Sequence, residues 1–229
     1  MQEASGIPFE SQMEPMEWAK FVVRTRSEKN YQAAFSLLSS FANLGSAEAE
    51  FCLGLLYARG QGVTRDLVAA RHWFERSAEA GFMGAMYFLG KMYHEGYGVE
   101  KDIKTAVYYL TPPSESGDAR AQYHLALIHF NGEMMDKNLR KAVDLFSTSA
   151  RAGHSESQFV LGQLYKTGYG VERDIGFALE WLTSAAMNKH KGAQMLLGSM
   201  YDSGDGVPQD KEEADRWFNM SAGAVTSAL

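Results

Sequence analysis

Six histidines and a single cysteine are the side chains best suited to metal binding or nucleophilic catalysis. A helical zinc site needs two histidines four positions apart, and no pair of histidines has this spacing. His124 and His129 are five positions apart, so on a helix they would lie on different faces. Cys52 cannot form an intramolecular disulfide, and the pattern around it offers no base that would activate the thiol. We therefore predict no catalytic residue, no metal site and no cofactor.

Pairs of glycines such as Gly60-Gln61-Gly62 could suggest a phosphate-binding loop. Such a loop follows a strand and continues into a Gly-Lys-Ser or Gly-Lys-Thr sequence. Here the glycines follow helical patterns, and no lysine motif comes after them. Glycine permits a positive φ, which ends a helix and turns the chain. The pairs therefore indicate helix ends rather than nucleotide binding.

A pattern with a period of 36 residues organises the chain. It begins at Asp66 and continues with Ala70, Trp73, Ala78 and Gly81. Five copies follow one another without insertion or deletion, which is typical of a helical solenoid. Each copy predicts a first helix, a glycine loop and a second helix that an aspartate or asparagine caps. The capping position is occupied by Asp66, Asp102, Asn138, Asp174 and Asp210.

Some copies depart from this pattern. Pro112 and Pro113 are expected to interrupt a second helix, because proline lacks the N–H donor and clashes with the preceding turn. In the next copy the usual loop is replaced by residues 131–135, which lack the second glycine. Lys189 replaces the glycine that closes the fourth copy. The stack is therefore expected to be weakest near its centre.

The chain divides into four kinds of segment. Residues 1–13 are polar and are expected to form a mobile leader, and residues 14–45 read as a degenerate capping repeat. Residues 224–229 form a short C-terminal tail. The five full repeats lie at about 46–81, 82–117, 118–153, 154–189 and 190–223.

The repeated residues resemble the Sel1-like repeat (SLR) family, which is related to the tetratricopeptide repeats. The fourth copy shows the pattern with Leu161-Gly162, Tyr165, Gly168, Gly170 and Asp174. The resemblance implies an all-α fold, a right-handed α-α superhelix of helix-loop-helix repeats. It also implies a protein that binds other proteins as an adaptor, scaffold or regulator. A few family members with paired cysteines in each repeat are described as penicillin-hydrolysing, and this chain lacks those pairs.

Composition restricts the partner and the compartment. The net charge of −6 argues against nucleic acid, which selects basic surfaces. No apolar run approaches the ~20 residues that a membrane helix needs, and the N-terminus does not read as a signal peptide. We expect a cytoplasmic monomer that binds a protein or peptide. A periplasmic or secreted location stays open if Met1 precedes a mature exported chain.

Four columns of the first helix vary between copies, and they include apolar residues that a purely solvated face would not carry. We predict that they form a partner-binding surface on the inner, concave side of the stack. Two alternatives stay open, namely an inhibitor or immunity-like protein of one enzyme and, more weakly, a hydrolase for β-lactam or cell-wall substrates. The candidate site residues are Phe88, Lys91, Glu95, Arg120, His124, Leu127, Val160 and Gln163.

Overall fold

The computed structural model describes residues 14–26, 28–133 and 136–223, and within these ranges it contains helices and no strand. The leader 1–13, the tail 224–229 and part of the unusual 131–135 loop lie outside the described residues. A short 3-10 helix, Glu28–Asn30, precedes the second of the α-helices. The α-helices are α1 (Pro15–Thr25), α2 (Tyr31–Asn43), α3 (Ala47–Arg59), α4 (Leu67–Glu79), α5 (Met83–Glu95), α6 (Ile103–Glu115), α7 (Ala119–Asn131), α8 (Leu139–Arg151), α9 (Ser155–Thr167), α10 (Ile175–Met187), α11 (Lys191–Ser203) and α12 (Lys211–Ala222).

The described residues form two compact units, which divide between Pro113 and Ser114. In the first unit, α1 packs on α2, α2 on α3, α3 on α4 and α4 on α5, and α1 also contacts α3. In the second unit, each helix from α7 to α12 packs on the next one along the chain. Each unit is thus a stack of helix pairs, and the predicted all-α repeat architecture is confirmed.

The second helices begin where the sequence predicts. Asp66 accepts hydrogen bonds from the amides of Val68 and Ala69 at 2.9 and 3.0 Å. Asn138 accepts one from the amide of Lys141 at 3.0 Å. The corresponding bonds at Asp102, Asp174 and Asp210 complete the series. Because the first N–H groups of a helix have no partner within it, these side chains satisfy donors that would otherwise be exposed.

Glycines in the first helices allow close approach to the second helices. A Cβ added at Gly54 would lie 2.5 Å from the Phe74 ring, and one at Gly162 would lie 2.5 Å from Cγ of Leu182. Such distances are far below van der Waals contact, so a side chain at either position would have to displace its neighbour. Phe74 and Leu182 are almost fully buried as a result. The two helices of a repeat therefore pack closely against each other at these glycines.

Buried glutamines connect successive repeats in the second unit, which the sequence pattern did not reveal. The side-chain amides of Gln122 and Gln158 each donate to a carbonyl eight residues earlier, at 3.1 Å. Gln194 donates to the Ala186 carbonyl at 2.9 Å. Each acceptor is the second-last residue of the preceding second helix, namely Ser114, Ala150 or Ala186. Each of these carbonyls also accepts a backbone N–H at the end of its helix, so the glutamine amide adds a second hydrogen bond there.

The expected interruption at Pro112 and Pro113 is wrong, because α6 runs without a break to Glu115. Both prolines lie in the last turn, so only a few hydrogen bonds at the helix end are lost. The Thr111 hydroxyl donates to the Val107 carbonyl at 2.8 Å in the same turn. The boundary between the two compact units nevertheless falls directly after Pro113.

Candidate partner-binding site

Three of the predicted site residues lie on α5 in the first unit. Phe88 is half-buried, and its ring stacks on Phe74 with centroids 5.3 Å apart. Lys91 and Glu95 follow at helical spacing, with Nζ of the lysine 3.9 Å from Oε2 of the glutamate. Charged side chains thus border an aromatic residue on one helix face. Because Phe88 also belongs to the core, it is both a wall of this surface and a packing residue.

Phe88 lines a mostly apolar hollow of about 200 Å³ in the first unit. Lys91, Met92 and Tyr97 form other parts of its wall. Tyr97 is 56% exposed, so one side of the hollow is an aromatic side chain that water surrounds. An aromatic-walled hollow with a lysine at its border can accept an apolar side chain of a partner.

The other five predicted residues lie in the second unit, on α7 and α9. Arg120 is exposed and forms an ion pair with Asp118 at 2.6 Å. Leu127 and Val160 are half-buried against one core cluster, and Gln163 is exposed. His124 is only 6% exposed, which leaves it little surface to offer a partner. The accessible members of the predicted site are therefore the ones on which a binding test should rest.

A pocket of about 360 Å³ lies between α1 and α3, and the sequence does not predict it because the pattern marks α1 only as part of a capping repeat. Nζ of Lys20 lies 2.7 Å from carboxylate oxygens of Glu17 and Glu48 at this pocket. Hydrogen bonds to these two carboxylates raise the pKa of Lys20. Glu48 belongs to one of the four variable columns of the first helices, and this variation is the sequence signal that points to the pocket.

Cys52 lies in the wall of the same pocket and is 6% exposed. Burial raises the pKa of its thiol to about 12, with the charge of Glu48 as a smaller cause. The thiol therefore stays protonated at neutral pH, whereas nucleophilic attack requires the thiolate. This agrees with the interpretation of Cys52 as an inert thiol.

Two histidines have a structural role that sequence spacing did not reveal. Nδ1 of His190 caps α11 by accepting a hydrogen bond from the Ala193 amide at 3.0 Å. Nδ1 of His154 caps α9 by accepting one from the Ser157 amide at 3.3 Å. The His190 ring also stacks on Phe159 with centroids 4.4 Å apart. Burial lowers the pKa of His154, so its ring stays neutral and can accept. In the part of the chain that the structure describes, no group of three or more His, Cys, Asp or Glu side chains could hold a metal ion.

Among the described residues, no helix combines the length and the apolar character needed to cross a bilayer.

Comparison with protein families identifies the repeats. The profile of the Sel1 repeat matches six segments, which together cover most of the chain. The first of these segments falls in the degenerate N-terminal repeat. The matched segments are residues 26–46, 47–82, 84–117, 119–154, 155–190 and 192–224. A comparison with curated proteins found no match.

Solved structures with the same fold come from several bacteria. A Sel1 repeat protein from Oxalobacter formigenes is 30% identical, with a TM-score of 0.84 over 96% of this chain and 91% of that one. The protective antigen c5321 of uropathogenic Escherichia coli is 33% identical, with a TM-score of 0.75 over 83% of this chain. This chain covers only 41% of that antigen. The immunity protein Pa5087 of Pseudomonas aeruginosa is 15% identical and has a TM-score of 0.62 over 94% of this chain and 85% of that one, which shows the fold alone.

Proposed function

Because the chain belongs to the Sel1 repeat family, we propose that it is a non-catalytic module that binds a partner protein through the variable face of its first helices. The observation that carries this proposal is the mixture of half-buried apolar and exposed polar side chains on that face. Phe88 and Leu127 are incompletely buried, while Glu95 and Gln163, which also belong to the four variable columns, are exposed. Interfaces commonly combine apolar anchors with a polar rim.

The partner would contact each unit through its own first helices. In the first unit, the hollow beside Phe88 supplies an apolar contact, and Lys91 supplies a charge at its edge. In the second unit, Arg120 and Gln163 supply exposed polar contacts around Leu127 and Val160. The residue type in these columns differs from one repeat to the next, which leaves room for it to match a partner.

Site-specific photo-crosslinking tests which surface is used. A benzophenone amino acid is placed at Glu95 or Gln163 on first helices, and at Lys104 or Arg140 on second helices; all four positions are exposed. We expect the same partner to crosslink from Glu95 and Gln163 in native extract, and not from Lys104 or Arg140. Crosslinks that arise only from the second-helix positions would show that the partner binds the second helices and would contradict the proposal.

Affinity for the partner identified in this way is then measured by calorimetry. Lys91→Glu should weaken binding about tenfold, because a charge at the edge of an apolar contact is reversed. Lys104→Glu changes charge by the same amount on the exposed face of α6 and is the matched control. An equal loss for the two variants would show that net charge, rather than the α5 surface, determines affinity.

A second candidate function is inhibition of one enzyme. A Pseudomonas aeruginosa protein with this fold is called an immunity protein, although its 15% identity supports the fold alone. The two candidates separate on one measurement, which is the activity of the crosslinked partner before and after complex formation. An enzyme that loses its activity on binding would favour the inhibitor, whereas a partner that keeps its activity would favour an adaptor.

A further inference from the structure

A second pocket, of about 490 Å³, lies at the C-terminal ends of α1 and α3. Its wall is formed by Arg26, Tyr31 and Arg59 together with the loop residues 60–62. Arg26 directly follows α1, and Arg59 is the last residue of α3. Both arginines also line the pocket that contains Lys20. Two guanidinium groups therefore converge on one end of these helices.

The two arginines differ from Lys20 in their partners. Lys20 is held by two carboxylates at 2.7 Å. Arg26 and Arg59 have no carboxylate within ion-pair distance in the ranges that the structure describes, and both residues are exposed. Nη1 of Arg59 reaches only the Val23 carbonyl, at a long 3.5 Å. Partial burial lowers the pKa of Arg59, and the positive charge of Arg26 lowers it further. An arginine remains protonated in proteins, so both side chains bring a positive charge to this pocket.

Tyr31 adds an unpaired hydrogen-bond donor beside the arginines. The residue is 6% exposed, and its hydroxyl has no hydrogen-bond partner among the described residues. The equivalent first residue of the next four second helices is aliphatic, so packing at this position does not need a hydroxyl. Those residues are Leu67, Ile103, Leu139 and Ile175. A buried donor without a partner lowers stability. A ligand that supplies an acceptor at this position would remove that cost.

Arg26 also occupies a backbone conformation that glycine would adopt more easily. Its φ is 57°, in the left-handed region. The corresponding residue after α3, α5, α7, α9 and α11 is always a glycine with a positive φ. A side chain at this position therefore costs stability that the other copies avoid. Strained residues of this kind are concentrated at functional sites.

We propose that Arg26, Arg59 and Tyr31 form a binding site for a single oxyanion, a carboxylate or a phosphate group. Guanidinium groups bind the oxygens of such groups with charge-assisted, often bidentate hydrogen bonds. The Tyr31 hydroxyl, which has no hydrogen-bond partner among the described residues, donates a further hydrogen bond to the anion. None of the proposed partner contacts on α5, α7 and α9 contributes to this site; Arg59 lies in the same variable column as Glu95, whereas Arg26 and Tyr31 lie outside the variable columns.

Anion binding is measured by NMR titration of the full chain at low ionic strength, with inorganic phosphate in one series and glutarate in the other. We expect saturable shifts of the backbone amides of Gln61 and Gly62, which line the pocket. Arg59→Gln should weaken binding at least about tenfold, because one of two charge-assisted contacts is removed. The tighter of the two ligands identifies the class of oxyanion.

The control removes the same kind of charge elsewhere. Arg140→Gln with Arg151→Gln takes two exposed arginines from α8 in the other unit and should leave anion binding unchanged. Equal weakening by this pair and by Arg59→Gln would overturn the proposal, because only the net charge would then matter. Absence of saturable binding of both anions by the unmodified chain would also overturn it.

Two further variants separate binding from folding. Arg26→Gly should raise the thermal midpoint, because glycine tolerates the left-handed conformation, and should weaken anion binding about tenfold. Tyr31→Phe removes only the unpaired hydroxyl, so it should keep the fold and weaken binding by a few-fold. If both variants bound phosphate and glutarate as the unmodified chain does, the site would be refuted. Affinity for the crosslinked partner should not change in either variant, so failure of this site and failure of the proposed partner surface are distinguishable.

Discussion

Glu50 shows how one side chain is adapted to its copy of the repeat. It occupies the column in which the second unit has Gln122, Gln158 and Gln194. Glu50 is 4% exposed, and its carboxylate pairs with Arg76 at 2.6 Å. The same guanidinium lies 4.9 Å from the centre of the Trp73 ring. In the first unit, an ion pair therefore takes the place of a neutral amide hydrogen bond.

Removal of the arginine should leave this carboxylate buried without its counterion. We expect Arg76→Ala to lower the free energy of unfolding by ~2 kcal/mol, less than for a fully buried pair because Arg76 is partly exposed. Glu79→Ala, on the exposed side of the same helix, should cost less than ~0.5 kcal/mol. Glu50→Gln should recover most of the loss when combined with Arg76→Ala. Urea denaturation of the unmodified chain, Arg76→Ala, Glu50→Gln and the double variant measures this coupling. Strict additivity would show that the two side chains do not interact.

The Cys52 thiol should make stability depend on alkaline pH. Its folded pKa is about 12 against an ordinary value of 9.0, so the unfolded chain loses this proton at a lower pH than the folded chain. Stability from this group is therefore complete below pH 9 and decreases as the pH rises above it. Cys52→Ala should remove this part of the pH dependence between pH 9 and pH 11. Iodoacetamide at pH 8 should react with the native protein at least ~100-fold more slowly than with the urea-unfolded protein, and equal rates would contradict the burial of the thiol.

At the scale of the helix pair, glycines determine how closely two helices pack. Gly162 lies on α9 against Leu182, and an added Cβ would also lie 3.2 Å from the Ala178 carbonyl. Gly176 lies near the start of the partner helix α10, where an added Cβ meets only a carboxylate oxygen of Asp174, at 3.2 Å. The same substitution should therefore have opposite effects at these two positions.

Gly162→Ala should lower the free energy of unfolding by ~2 kcal/mol, because the new methyl group overlaps with packed atoms. Gly176→Ala should raise it by ~0.5 kcal/mol, because alanine has the higher helix propensity. Chemical denaturation followed by circular dichroism measures both changes. A stabilising Gly162→Ala would mean that the two helices lie farther apart than the structure shows.

At the scale of the whole molecule, the chain consists of two compact units that meet in sequence at Pro113 and Ser114. In stacked repeats, each repeat is stabilised mainly by its neighbours. Two prolines in the last turn of α6 reduce the helical hydrogen bonding at this boundary. Cooperative unfolding is therefore expected to be stronger within a unit than across the boundary.

Hydrogen exchange of the full chain tests this expectation. Gly162→Ala lies in the second unit and should increase amide exchange in α7 to α12 by at least tenfold. Exchange in α1 to α4 should change much less. The matched variant Gly90→Ala, which places a Cβ 2.5 Å from Leu110 in the first unit, should show the opposite distribution. Equal acceleration in both units for either variant would show that the chain unfolds as one cooperative body.

The repeat period was readable from the sequence because each of its recurring features is local. Asp174 caps the helix that follows it, and Gly168 ends the helix that precedes it in a left-handed conformation. Both effects act within a few residues of the chain, so residue type and spacing were sufficient to place the helices. The alternation of first and second helices and the family resemblance followed from the same pattern.

Tertiary structure decided what depends on residues far apart in the chain or on position within a helix. The proline prediction was wrong because each proline removes only one backbone donor, and α6 tolerates both losses and continues to Glu115. The buried state of His124, the ion pair between Glu50 and Arg76, and the convergence of Arg26 with Arg59 all bring together groups that spacing alone does not relate. Caps and turns depend on neighbouring residues, so the sequence period predicts them. Burial and charge pairing depend on contacts between packed helices, so it does not.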